Sequence, residues 1–220
     1  MTITFFNEKP KCGKSTLTCY TAIGLAEKFS KNNSHRVFIF DTARNLNNSI
    51  AYKKKQEEQQ TENPNLIIEH IENYSNFETK KIELGIQEND VVFFDLQGIG
   101  EEQLDFLINS NFIFIVSDAS NEFEEIDRDI YFLVEKIKNE LGVGGISKIF
   151  LIQNKIKKNQ EIIYEFEEIN CTRGLGEVDE DLRIENLSFS KKINFPLPIQ
   201  KFYIDIWKNI NDYKEQIILN

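Results

Sequence analysis

The chain has 220 residues and a formal net charge of -10, a length that suits one α/β domain over residues 1–220 and leaves little room for two. Its 40% apolar content supports a sizeable core, and its acidic balance means that contact with nucleic acid needs a local basic patch. Cys12, Cys19 and Cys171 lack zinc-ligand spacing, and an odd count does not suit a disulfide framework, so a reducing cytoplasm is expected. No apolar run approaches the ~18 residues of a membrane span, and the N-terminus has no charged start or cleavage site of a signal peptide.

Short apolar runs alternate with helical patterns, which predicts βαβ units and a mostly parallel central sheet flanked by helices on both faces. The first predicted strand, Thr2–Phe6, leads through a loop into a helix at 15–31. A second strand follows at 36–40. Residues 51–63 are charged and polar and read as a solvated helix or loop. Next come strands at 66–71 and 91–94, a helix at 101–109, a strand at 112–117, a helix at 122–141 and a strand at 148–152. Most of these strands are apolar at successive positions, as expected where both faces are covered. Residues 170–190, with Gly174, Gly176 and an acidic run, read as an irregular excursion. A last helix is predicted at 200–217, where Phe202, Ile206, Ile210, Tyr213 and Ile217 recur at helical spacing.

The chemistry concentrates between the first strand and the first helix, in Asn7-Glu8-Lys9-Pro10-Lys11-Cys12-Gly13-Lys14-Ser15-Thr16. A strand–loop–helix with Gly-Lys-Ser-Thr at the helix start is a phosphate-binding loop, although Glu8 stands where the usual motif has its first glycine. Backbone N–H groups around Lys11, Cys12 and Gly13 would cradle an anion. Lys14 would meet the β- and γ-phosphates, Ser15 would offer its hydroxyl to Mg²⁺, and Thr16 would bond the α-phosphate. The ligands expected are therefore ATP and Mg²⁺.

Two acidic strand ends belong with this loop. Asp41 ends VFIFD and Asp95 ends VVFFD, both at the carboxyl edge of the predicted sheet, where either could hold Mg²⁺. Asp95-Leu96-Gln97-Gly98 also has the D-x-x-G form, in which Gly98 could present its N–H to a γ-phosphate. Asn154-Lys155 follows the predicted strand at 148–152. Lys157 occupies the position where guanine recognition needs a carboxylate, and a lysine cannot accept a hydrogen bond. Adenine, bonded by the Asn154 amide, is the base expected.

Residues Lys9 to Thr16, KPKCGKST, resemble the deviant Walker A loop of the ParA/MinD ATPases, K-G-G-x-G-K-S/T-T. Asn7-Glu8 resembles the N-Q that often precedes that loop. Asp41 matches the first aspartate of the family's D-x-D-P-Q segment, Asp95 its Walker B aspartate, and Asn154 falls where members contact adenine. The resemblance implies a nucleotide-dependent homodimer in which Lys9 reaches across to the partner's phosphates and stabilises charge there. It implies catalytic roles for Lys9, Lys14 and Asp41. The chain departs from the pattern at Pro10-Lys11, where the family has Gly-Gly, and at Ala43, where the family has its second aspartate. Pro10 removes one N–H from the cradle. Ala43 removes the carboxylate that hydrolysis would be expected to need. Slow, partner-dependent or absent hydrolysis is the expectation.

The resemblance further implies an ATP-gated dimer that positions a plasmid, a conjugation complex or another cargo through a protein partner or adaptor. DNA contact would rest on the modest clusters Lys53-Lys54-Lys55, Lys155/Lys157/Lys158 and Lys191-Lys192. The final predicted helix carries mixed charge and a regular apolar face, which fits core packing better than a membrane anchor. Two alternatives use the same scaffold: a small-molecule ATP-dependent enzyme resembling dethiobiotin synthetase, and a non-hydrolysing adaptor. No His or carboxylate pair marks an acceptor pocket for the first, and His35 and His70 read as incidental.

Overall fold

The computed structural model describes residues 1–7, 12–31, 35–43, 48–59, 63–96, 101–118, 149–156 and 174–179, together with 135, 139, 201, 204–208, 210 and 211. The elements run β1 (Thr2–Phe6), α1 (Lys14–Ser30), β2 (Val37–Asp41), α2 (Asn48–Gln59), β3 (Leu66–His70), α3 (Tyr74–Glu83), β4 (Val91–Asp95), α4 (Glu101–Ile108), β5 (Phe112–Asp118), β6 (Ile149–Ile156) and β7 (Gly174–Asp179). The strands form one seven-stranded sheet in the order β3-β2-β4-β1-β5-β6-β7. Every pairing is parallel, as the alternation of strands and helices predicts.

The strands form where phenylalanine and β-branched residues stand at consecutive positions. Their two-residue period then divides those side chains between two cores. In β4, Val91 and Phe93 join the core on the α1 side, and Val92 and Phe94 join the core on the opposite face. Val37 and Ile39 separate from Phe38 and Phe40 in the same way. The first core is completed by Leu17, Tyr20, Ile23 and Leu25 of α1 and by Tyr52 of α2. The second is completed by Phe77 of α3 and by Phe106 and Leu107 of α4. Phe94 anchors it, with the rings of Phe77 and Phe106 edge-on at 4.8 and 5.0 Å between centroids. Burying one such ring stabilises the fold by about 1.5–3 kcal/mol.

Three elements, β6, β7 and α3, differ from the sequence reading. β6 continues to Ile156, so Asn154 and Lys155 lie inside the strand and not after it. Residues 174–179, read as part of an irregular excursion, form β7, which pairs with β6. α3 was not anticipated: Asn73 caps it by accepting from the Asn76 N–H at 2.9 Å, but Phe77 is its one fully buried side chain. That gives almost no periodic signal. The charged run at 51–63 is helical to Gln59, seated by Ser49, Tyr52 and Gln56, which are buried at helical spacing. In the predicted last helix, Ile206 and Ile210 are buried in the α1-side core with Trp207 against it. Of the predicted helix at 122–141, Glu135 and Asn139 are helical and the remainder lies outside the described residues. No helix among the described residues is long and apolar enough to cross a membrane.

Candidate functional site

The alternation that fills the α1-side core also places the site. In β2 the row Val37, Ile39 ends in Asp41, in β4 the row Val91, Phe93 ends in Asp95, and in β6 the row Phe150, Ile152 reaches Asn154 level with Asp118 at the end of β5. Asn7 continues the row Ile3, Phe5 just past β1. Four polar residues thus stand at the carboxyl ends of the strands, beside the N-terminus of α1, where open parallel sheets bind ligands. All four are buried.

Gly13 turns the chain into α1 with φ 99° and ψ 10°, a conformation glycine adopts at little cost. Its carbonyl accepts from the Leu17 N–H at 2.9 Å and starts the helix. Gly13 brings no side-chain cap and the first turn has no acidic residue, so no carboxylate competes with an anion for the first-turn N–H groups. Lys14 is 8% exposed and its Nζ lies 3.8 Å from Cys12 Sγ. The helix dipole disfavours an ammonium group there, and a bound phosphate offsets that cost. Cys12 fills the loop as a small buried residue.

Ser15 Oγ donates to Asp95 Oδ1 at 2.8 Å. Asp95 Oδ2 is buried and has no hydrogen-bond partner among the described residues. Asp41 and Asp95 are register partners across β2 and β4. Burial raises the Asp95 carboxyl and the neighbouring Asp41 raises it further, to about 7, against the lowering pull of the Ser15 bond and of Lys14. Asp41 is differently placed. Its Oδ1 accepts from the Ala43 N–H at 2.8 Å, and its Oδ2 from Ser49 Oγ at 2.5 Å.

This chemistry suits a hard divalent cation. Ser15 and Asp95 offer oxygen donors, one buried carboxylate oxygen is left over, and a cation would relieve two adjacent acidic groups. No cluster of three His, Cys, Asp or Glu residues occurs among the described residues. Magnesium needs none, because it takes one or two protein oxygens and fills its shell with water and substrate phosphate. Both Asp41 oxygens already have protein donors, so Asp41 is a weaker direct ligand than the sequence suggests.

The structure therefore brings Cys12, Gly13, Lys14, Ser15, Asp41, Asp95 and Asn154 together, with Thr16 half-buried in the same helical turn. Lys9, Lys11 and Gly98 lie outside the described residues. Asn154, expected to bond adenine, donates its amide to the Cys12 carbonyl at 2.8 Å. Sequence reasoning missed Ser49 as the partner of Asp41, and the Asn7 amide, which donates to the Val116 carbonyl at 2.6 Å. The one available signal was a serine in the first turn of a helix following an acidic strand end.

No family model matches the chain, and no curated protein sequence does. Solved structures do. A Borrelia burgdorferi protein assigned to plasmid partition and bound to AMPPNP is 21% identical, with TM-score 0.63, over 96% of this chain and 98% of that one. A chain of the MinC:MinD cell division complex of Aquifex aeolicus is 14% identical, with TM-score 0.66, over 96% and 95%. The septum site-determining protein MinD of Pyrococcus horikoshii, complexed with Mg-ADP, is 12% identical, with TM-score 0.65, over 97% and 98%.

Proposed function

We propose that this chain, which has the fold of the ParA/MinD ATPases, binds ATP with Mg²⁺ before α1 and uses the bound nucleotide to control the pairing of two copies. The observation that carries this reading is the Ser15–Asp95 pair at an uncapped helix N-terminus, with one buried carboxylate oxygen left over. The α1 N–H groups and Lys14 would hold the phosphates. Ser15 and Asp95 would hold the cation. Bound there, Mg²⁺ would neutralise phosphate charge and orient the β- and γ-phosphates. Asp41, fixed by Ser49 and the Ala43 N–H, supplies further negative charge beside it.

In this reading residues 1–220 form one nucleotide-binding domain that works in the cytoplasm and positions a cargo through a protein partner. Lys53 counts against DNA contact through Lys53-Lys54-Lys55, because it donates to the Ile68 carbonyl and pairs with Glu69 at 3.2 Å. A lysine committed in this way guards the edge strand β3 and contributes little to a basic patch. Lys9 of each copy would complete the other's phosphate site. Light scattering tests this directly. ATP with Mg²⁺ is expected to convert monomer to dimer, and Lys9→Ala to abolish the shift. An oligomeric state indifferent to nucleotide would refute nucleotide-gated pairing.

Ala43 favours a second reading, a nucleotide-binding adaptor with little or no hydrolysis. Its side chain is buried and carries no base. ATP-dependent pairing without phosphate release would support that form.

A further inference from the structure

We propose that Asn154 is a positioning residue of the phosphate loop, not a reader of the nucleotide base. The inference rests on the phosphate-site reading and refines it. Asn154 is 7% exposed on β6, level with Asp118 at the end of β5. Its Nδ2 donates to the Cys12 carbonyl at 2.8 Å, across 142 positions of sequence. The β6–β7 pairing shifts register between Asn154 and Ile156, the kind of irregularity that re-aims a side chain next to a site.

The bond fixes a peptide plane that the ligand would use. In a trans peptide the N–H points opposite to the preceding carbonyl, and the described chain contains no cis bonds. Holding the Cys12 carbonyl toward Asn154 therefore directs the Gly13 N–H the other way, as one of the donors of the anion cradle. The contact is close. A Cβ at Gly13 would run into the Asn154 amide nitrogen and displace it, and the φ of +99° independently favours glycine there. The other end of the loop is held in the same way, by the Asn7 amide on the Val116 carbonyl.

A loop brace and a base reader differ in what they do to a ligand without a base. The test is calorimetric titration of inorganic tripolyphosphate, ATP and GTP, each with Mg²⁺, into wild type, Asn154→Asp and Asn154→Ser. Thermal melts of each protein without ligand accompany it. The brace predicts that tripolyphosphate and ATP affinities fall together, by about tenfold, with the ATP-to-GTP ratio unchanged. Unchanged tripolyphosphate affinity with a collapsed ATP-to-GTP ratio would overturn it in favour of base reading. A lower melting temperature with all affinities intact would overturn it in favour of a purely structural role. If Asn154→Asp does not fold, Asn154→Ser decides, since it removes the reach without adding a charge. Wild type that binds neither tripolyphosphate nor ATP would instead sink the phosphate site itself, and this inference with it.

Discussion

Ser15 Oγ lies 2.8 Å from Asp95 Oδ1 although the two residues are 80 positions apart in sequence. The contact joins the first turn of α1 to the end of β4. It exists because β1 and β4 are parallel neighbours in register, with Phe5 opposite Asp95. The loop that leaves β1 therefore lands its helix directly over the acidic end of the next strand. The Asp95 carboxylate is fully buried there, which is costly unless something satisfies its second oxygen.

That cost makes a double prediction for Asp95→Asn. Burial and Asp41 push the Asp95 carboxyl up to about 7, so at pH 8 the native state holds an ionised carboxylate that it disfavours. The amide should leave the nucleotide-free protein as stable or more stable at pH 8 in urea denaturation. It should cost about tenfold or more in ATP affinity with Mg²⁺ present and little with EDTA. Equal losses in both conditions would remove Asp95 from the cation site.

Ser49→Ala should cost about 1 kcal/mol in urea denaturation, because it leaves Asp41 Oδ2 buried without its hydroxyl donor. An effect below a few tenths of a kcal/mol would mean that the hydroxyl does not stabilise Asp41.

The pH dependence of stability should carry a signature of Asp90, away from the site. Burial raises this carboxyl, but bonds from the Arg36 side chain and from the Gln87 and Arg36 N–H groups outweigh it and hold it below its ordinary value. A depressed carboxyl contributes stability that is present above the unfolded value, near 4, and is lost as pH falls through the folded one. Arg36 is 34% exposed, so solvent screens the pair and the contribution is about 1–2 kcal/mol. Wild type should lose this between pH 4 and lower values, and Asp90→Asn should show a shallower acid limb. Identical acid limbs would contradict the assignment.

Ala43→Asp tests the limit on turnover. The position is buried and its N–H already holds Asp41. If the resemblance to the ParA/MinD loop extends to hydrolysis, a carboxylate there restores the expected group, and steady-state phosphate release should rise about tenfold or more. The added charge beside Asp41 should also destabilise the nucleotide-free protein. A flat rate would place the defect elsewhere, with Pro10 and Lys11 the next residues to change.

Much of this was legible in the sequence, for local reasons. Gly13-Lys14-Ser15-Thr16 is a contiguous motif, and Asp41 and Asp95 close uninterrupted apolar runs. Which residues touch was not legible. The bonds from Asn154 to Cys12, Asn7 to Val116 and Ser49 to Asp41 depend on strand order and register, and two-faced apolar strands encode these weakly because neither face is polar. β7 was hidden by Gly174 and Gly176, which weaken any strand signal. α3 was hidden because Phe77 alone supplies its fully buried face.

Whether Lys14, Ser15 and Asp95 form a nucleotide site that uses Mg²⁺ is decided by calorimetric titration of ATP into wild type and Lys14→Ala, each with Mg²⁺ and with EDTA. Wild type is expected to bind at one site per chain, tighter with Mg²⁺ than without, and Lys14→Ala to show no measurable binding. Equal affinity in the two proteins, or wild-type binding indifferent to Mg²⁺, would contradict that assignment.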